Sequence, residues 1–355
     1  MRIRWILLLL AGCGSVPLTE ENASSQAATS ALNATRFSSS VNPGQSSVRQ
    51  VPMTALNAIN TDIDIAPWSF AGKSGRIMST QHYLIRSNIR YEQVMDRLPI
   101  LLEHAIFRYQ TAFGSLPEPK ATLDTYVLGD RNQWLAKTRQ VLPQQAESLS
   151  SIGRGGFAVN GTGYLYYIDW AGRDRDTFAI AVHEGWHQYV QSTFREDIPS
   201  WLDEGIATYM EGLRFRAFDD NPAFRPWDNW ERQRRLRDSA RSGRLIPLED
   251  LLNRPVQSFI GSRRNEELLG YYAQVWALAL LLADQKGPYR DGFEQMLQDA
   301  ANGGFRRKVM NHPAVISRGG RGRNAHLGRW AAIAYFGDLE ELKAAYKEKI
   351  RDLTS

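Results

Sequence analysis

The chain reads as an α+β fold in which a small mixed sheet and a motif-bearing helix precede a mainly helical second part. Two patterns predict this. Segments of strand composition recur early, at 82–87, 121–128 and 163–168, each bounded by polar or glycine-containing stretches. Beyond residue 211 the apolar spacing is helical, at 268–285, 290–301 and 329–353. The expected organisation is a leader over 1–12, a tether over 13–62, an α/β subdomain over 63–200 and a helical subdomain over 201–355.

The leader opens with the basic Met1-Arg2-Ile3-Arg4 and continues in a brief apolar run from Trp5 to Leu10. That run is too short for a membrane span, which needs about twenty residues. Leu10-Ala11-Gly12-Cys13 resembles the bacterial lipobox, in which small residues precede a lipidated cysteine. The resemblance implies a signal peptide of residues 1–12, a lipid anchor at Cys13 and a membrane partner. Gly14, where an aspartate usually marks inner-membrane retention, points to the outer membrane facing the periplasm. An ordinary cleaved signal with an incidental cysteine is the other reading. Cys13 is the only cysteine, so an intramolecular disulfide and a thiol nucleophile elsewhere are excluded. Residues 13–62 are rich in Ser, Ala, Asn, Gln and Thr and read as a flexible tether.

Folded structure is expected to begin near Trp68 or Arg76. A strand over His82–Ser87 precedes a helix over Tyr91–Phe113, where Val94, Leu98, Leu101, Leu102, Ile106 and Tyr109 fall at helical spacing and Pro99 predicts a kink. A second strand over Ala121–Leu128 leads to a helix over Asp130–Leu142 with Asp130 as its N-cap. Gly153–Gly156 break the chain, and a strand follows over Gly163–Ile168. That strand is either a sheet edge open to an extended peptide or an interior strand with tyrosines packed on both faces. Leu245–Pro255 and Arg318–Arg323 read as loops. The apolar run Leu278–Leu282 belongs to a core helix, since Gln274 interrupts the stretch and Asp284 ends it.

The chemistry is concentrated in His183-Glu184-Gly185-Trp186-His187 and in Trp201-Leu202-Asp203-Glu204-Gly205. Histidines four residues apart on a helix project from one face and can share one metal ion. Glu184 is placed to take a proton from a metal-bound water. Glu204, on the following helix, supplies a third ligand and leaves a fourth position open, the donor set of a catalytic zinc site with one Zn²⁺ ion. Gly205 is expected where the two motif helices approach closely. Thr208, Glu211 and Asp203 are candidates to orient the histidine rings. The bland alternative is a pair of satisfied core histidines with Glu204 on the surface.

These two segments resemble the gluzincin metallopeptidases, whose pattern is HExxH followed by a glutamate in a W-L-x-E-G-x-A-x-[YF] context, and in particular a bacterial lipoprotein branch of that clan. The resemblance covers about residues 76–285 and implies a zincin-like fold, with His183, His187 and Glu204 as ligands and Glu184 as general base. Sixteen residues separate His187 from Glu204, slightly fewer than in better-known members, so the connection is tight and Pro199 fits its end. The same resemblance puts Tyr272 where gluzincin aminopeptidases carry an oxyanion-stabilising tyrosine; Tyr271 is the alternative, and a structural pair of tyrosines the third reading. No Gly-Ala-Met-Glu-Asn-type segment is present, which favours an endopeptidase over an aminopeptidase.

The implied partner is a peptide or protein substrate. Two other classes stay open: a lipid-anchored peptide-binding protein with a non-catalytic metal site, and a zinc amidase acting on cell-wall peptides. Nucleic-acid binding is not supported. The formal net charge is only +5, and the arginines at 232, 234, 235, 237, 241 and 244 are interleaved with Asp228, Glu231 and Asp238. They read as a solvated helix face or one paired with acidic neighbours.

Overall fold

The computed structural model describes residues 5–6, 62–150, 155–168, 174–216, 219–259, 265–317 and 327–355. Cys13, nearly all of the tether and the stretch 318–323 lie outside them. Seven strands form one mixed sheet: β1 (Trp5–Ile6), β2 (Asp64–Phe70), β3 (Lys73–Ser79), β4 (Tyr83–Ser87), β5 (Leu123–Leu128), β6 (Gly156–Val159) and β7 (Thr162–Tyr166). Their spatial order is β1-β6-β7-β5-β4-β3-β2. β4, β5 and β7 run parallel, and every other pairing is antiparallel.

Local chemistry explains the hairpins. The β6–β7 turn is Asn160-Gly161 with φ of 51° and 75°, the doubly positive turn that matches the right-handed twist of paired strands. The β2–β3 turn, Ala71-Gly72, also takes positive φ at both residues. This hairpin starts the main described fold at Asp64, ahead of the expected Trp68 or Arg76. The parallel pairing of β4 with β5 needs a long crossover, which helix α1 (Glu92–Thr111) provides with Pro99 inside it.

Helices cover both faces of the sheet. On one, α1 and the twenty-residue α4 (Asp174–Thr193) bury Tyr83, Ile85, Leu98, Tyr109, Leu165 and Trp186 in the main core. On the other, α2 (Arg131–Val141) brings Trp134 against Phe157, Tyr164 and Tyr166. Asp130 caps α2 by accepting from the Gln133 N–H. The one-turn helix α3 (Ala146–Leu149) follows. β7 is flanked by β5 and β6, so segment 163–168 is an interior strand rather than the open edge. Its residues are buried on both sides because side chains alternate between two covered faces. On that side the sheet ends instead at the two-residue β1, which pairs with Ala158 and Val159 of β6.

The second part is mostly helical. It comprises α5 (Ser200–Met210), a two-stranded ribbon of β8 (Leu213–Arg214) and β9 (Ala223–Phe224), then α6 (Trp230–Arg241), α7 (Leu248–Asn253), α8 (Asn265–Leu282), α9 (Arg290–Asn302), α10 (Phe305–Asn311), α11 (Pro313–Ser317), α12 (Leu327–Phe336) and α13 (Leu339–Thr354). The segment 245–255 therefore holds a short helix where a loop was expected: the apolar Leu248, Leu251 and Leu252 recur at helical spacing and are buried. α8 packs against α5, α6 and α13. The one polar residue of its apolar stretch is satisfied there. Gln274 bonds both the N–H and the carbonyl of Ile246, at 2.8 and 2.9 Å. No helix among the described residues is long and apolar enough to cross a membrane.

Candidate metal centre

His183, Glu184 and His187 lie within α4 and are buried, as is Glu204 on α5. The two helices are held in register by the indole N–H of Trp186, which donates to Asp203 Oδ1 at 2.9 Å. Pro199 ends the connection, and its carbonyl accepts from the N–H groups of Leu202 and Asp203 to start α5. Gly205 permits a close approach, but to α8 rather than to α4: a Cβ there would lie 2.9 Å from the Val275 carbonyl oxygen. The absent side chain lets α5 settle on α8 and holds Glu204 against α4.

The donor atoms converge. Nε2 of His183 and Nε2 of His187 lie 3.4 and 3.5 Å from Glu204 Oε2, and one ligand atom from each of the three residues falls within 4.8 Å of the others. None of these three facing atoms has a hydrogen-bond partner, although all are buried. Buried polar atoms are normally satisfied, so a converging unsatisfied set marks a place shaped for a ligand. The group can hold a metal ion.

The opposite ring nitrogens face carboxylates, through a hydrogen bond for His183 and an ion-pair contact for His187. Nδ1 of His183 lies 2.9 Å from Glu211 Oε1, and Nδ1 of His187 lies 3.2 Å from Asp203 Oδ2. Such carboxylates fix which ring nitrogen carries the proton and turn Nε2 toward the centre. Of the three candidates for this task, Asp203 and Glu211 stand beside the rings. Thr208 does not, because its hydroxyl donates to the Glu204 and Gly205 carbonyls of its own helix.

Glu211 is itself held by two residues that the sequence did not single out as site residues. Arg232 donates to both of its oxygens, at 2.6 and 3.1 Å, and the Asn229 amide adds a bond of 2.9 Å. Burial raises the Glu211 carboxyl, and the charge of Arg232 and the contact with His183 outweigh it, leaving it at about 2. Arg232 is half-buried and ion-paired with Glu211, so it belongs to the paired reading of its arginine run. In sequence it is one arginine among six, and only the packing of α6 on α8 and α13, which sets it beside Glu211, distinguishes it.

Glu184 differs from its neighbours. Burial pushes its carboxyl up to about 7, against the lowering influence of both histidines and of a hydrogen bond from the Gly156 N–H. Its Oε2 is buried and unpartnered. A Cβ on Gly156 would lie 2.9 Å from Glu184 Cγ, so β6 reaches the acid only because that residue is glycine. Glu204 is the opposite case: burial raises it, His187 and His183 outweigh this, and it stays at about 2. Two adjacent carboxyls, one poised and one ionised, can divide proton transfer from ligation.

Tyr272 on α8 completes this region. Its ring centroid lies 6.2 Å from that of His183, and the Arg232 guanidinium sits 5.1 Å above its ring. Its hydroxyl is buried without a partner, and burial raises its pKa well above the usual phenol value. Tyr271 instead stacks on Phe259 at 4.6 Å. No family model, curated protein or solved structure matches the chain.

Proposed function

We propose that the protein is a zinc-dependent endopeptidase of zincin-like fold, anchored at the cell envelope through Cys13. The observation that carries this reading is the convergence of three buried, unpartnered ligand atoms with the buried, unpartnered carboxyl of Glu184 next to His183 in the chain. Two imidazoles and one carboxylate, with Nδ1 atoms facing carboxylates, are a donor set that suits zinc. Zinc, when held by His183, His187 and Glu204, supplies Lewis acidity toward a carbonyl and lowers the pKa of water to about 7.

The chain's own residues do the rest. Glu184 accepts the proton of the attacking water and passes it to the leaving amine, a role for which a carboxyl near the working pH is well matched. The Tyr272 hydroxyl donates to the oxyanion that develops on the scissile carbonyl. The substrate strand is offered the outer edge of β6, which Trp5–Ile6 covers at Ala158 and Val159 and which removal of the signal segment frees.

An unbiased peptide-library digest read by mass spectrometry, comparing wild type with Glu184→Gln, tests this. Cleavage by wild type, lost in the variant while one zinc is retained, is the expected result. A zinc-loaded wild type that cleaves nothing from mildly acidic to alkaline pH overturns it.

A further inference from the structure

Immediately beyond Glu211 the surface carries a second feature, an open depression of about 240 Å³ between the β8–β9 ribbon and the start of α6. Arg214, Phe215, Arg216, Arg225, Asp228 and Trp230 line it. Three arginines and one aspartate thus line it, an excess of positive charge. Nε and Nη2 of Arg214 are buried with no hydrogen-bond partner, in contrast to Arg232 nearby, whose fork is filled by Glu211. A buried guanidinium N–H left unmade costs more than most lost contacts. Those two nitrogens carry no solvent-accessible surface, so the groups that an anion in the depression meets directly are the exposed Arg216 and Arg225.

The position relates the depression to the metal centre. Arg214 follows Glu211 by three residues, and Asp228 and Trp230 flank Asn229, whose amide donates to Glu211. The Phe215 ring packs on Phe178 at 5.6 Å between centroids. Phe178 precedes His183 by five residues on α4, about 7 Å along the helix axis. With the 5.6 Å between the Phe215 and Phe178 rings added, the path is about 13 Å, and extended peptide advances about 3.3 Å per residue, so the depression lies about four residues from a bond held at the cluster.

We propose that this depression is a carboxylate-binding subsite, which takes an acidic side chain or the C-terminal carboxylate of the peptide. The proposal deepens the peptidase reading and rests on it for the identity of the ligand. The arginine fork matches a carboxylate bidentately. The Phe215 and Trp230 rings offer aromatic surface to the apolar stem that carries such a group.

The test uses the full chain as Glu184→Gln, zinc-loaded, with three fluorescent pentapeptides read by polarisation. One has an internal glutamate and an amidated end, one is neutral with a free carboxylate end, and one is neutral and amidated. At least one charged peptide is expected to bind tenfold or more tighter than the neutral amide, and which one identifies the source of the carboxylate. Adding Arg214→Gln is expected to erase the preference. Arg225→Gln, at an exposed position, reports the same loss without risk to the fold. No preference, or a preference that survives both substitutions, overturns the subsite.

Calorimetric titration of the wild type with N-acetyl-glutamate separates the two proposals. Binding weakened tenfold by Arg214→Gln in a protein that cleaves no library peptide leaves the carboxylate site standing and removes the peptidase. A library cleaved without acidic preference, and no N-acetyl-glutamate binding, does the reverse.

Discussion

Among the described residues, two histidine–glutamate constellations are satisfied in opposite ways. At the start of β4, Glu103 from α1 meets His82: its Oε1 accepts from the Thr80 hydroxyl at 2.5 Å and the His82 backbone N–H at 2.9 Å, and its Oε2 lies 2.6 Å from His82 Nδ1. Both oxygens are used within the protein. Between α4 and α5, His183, His187 and Glu204 turn their remaining atoms toward one another and find no other partner. Composition alone does not distinguish these clusters. The accounting of donors and acceptors does: the closed cluster is cross-linking, and the open one is shaped for something from solution.

Four experiments break or sharpen this contrast. The largest expected effect is on turnover. Glu184→Gln should slow peptide hydrolysis by about 10²- to 10⁴-fold, the usual worth of a positioned general base, with zinc stoichiometry unchanged by elemental analysis. Next, zinc at about a thousand times its Kd should stabilise the fold by about 4 kcal/mol. Differential scanning calorimetry should show the gain, and chelation or His187→Ala should abolish it. A melting temperature indifferent to zinc would place the open cluster in the same class as the closed one.

Smaller effects probe the surroundings of each cluster. Asp203→Asn keeps an acceptor for Trp186 but weakens the hold on His187, and should reduce zinc affinity about tenfold in competition with a chromogenic chelator. Glu103→Gln should destabilise the protein by about 1–2 kcal/mol at neutral pH through weakened charge-assisted hydrogen bonds, and leave zinc affinity untouched. Its pH dependence has a definite sign. Burial raises the Glu103 carboxyl, but the bonds from His82 and Thr80 outweigh it and hold the group below its ordinary 4.5. Its stabilisation is thus complete above that ordinary value and is lost as pH falls through the lower folded value. Chemical denaturation of wild type and variant should converge over that acidic range.

Part of this was readable in advance because it is local. The i, i+4 histidines and the adjacent glutamate need only a helix to share a face, and a helix follows from the apolar spacing around them. Asp130 announced itself as an N-cap, and Gln274 marked its stretch as core. One local signal was present and unread: Asn160-Gly161 is a strong hairpin turn, and it alone implies a strand on each side of it. That turn would have put β6 outside β7 and moved the expected edge away from 163–168. The Ala71-Gly72 hairpin was harder to see, since alanine seldom takes positive φ.

What the sequence determined by itself is the α+β order of elements and a donor set, two histidines with a neighbouring and a later glutamate, because periodicity and side-chain type act over a few residues. Tertiary structure decided which strand is the edge, which helix Gly205 admits, and which carboxylates stand behind each imidazole. It also decided that Arg232 is paired with Glu211 while Arg214 lines a depression with two of its nitrogens unpartnered. Those outcomes depend on contacts between residues far apart in the chain, where the same arginine is a solvated charge or a buried anchor according to what packs against it.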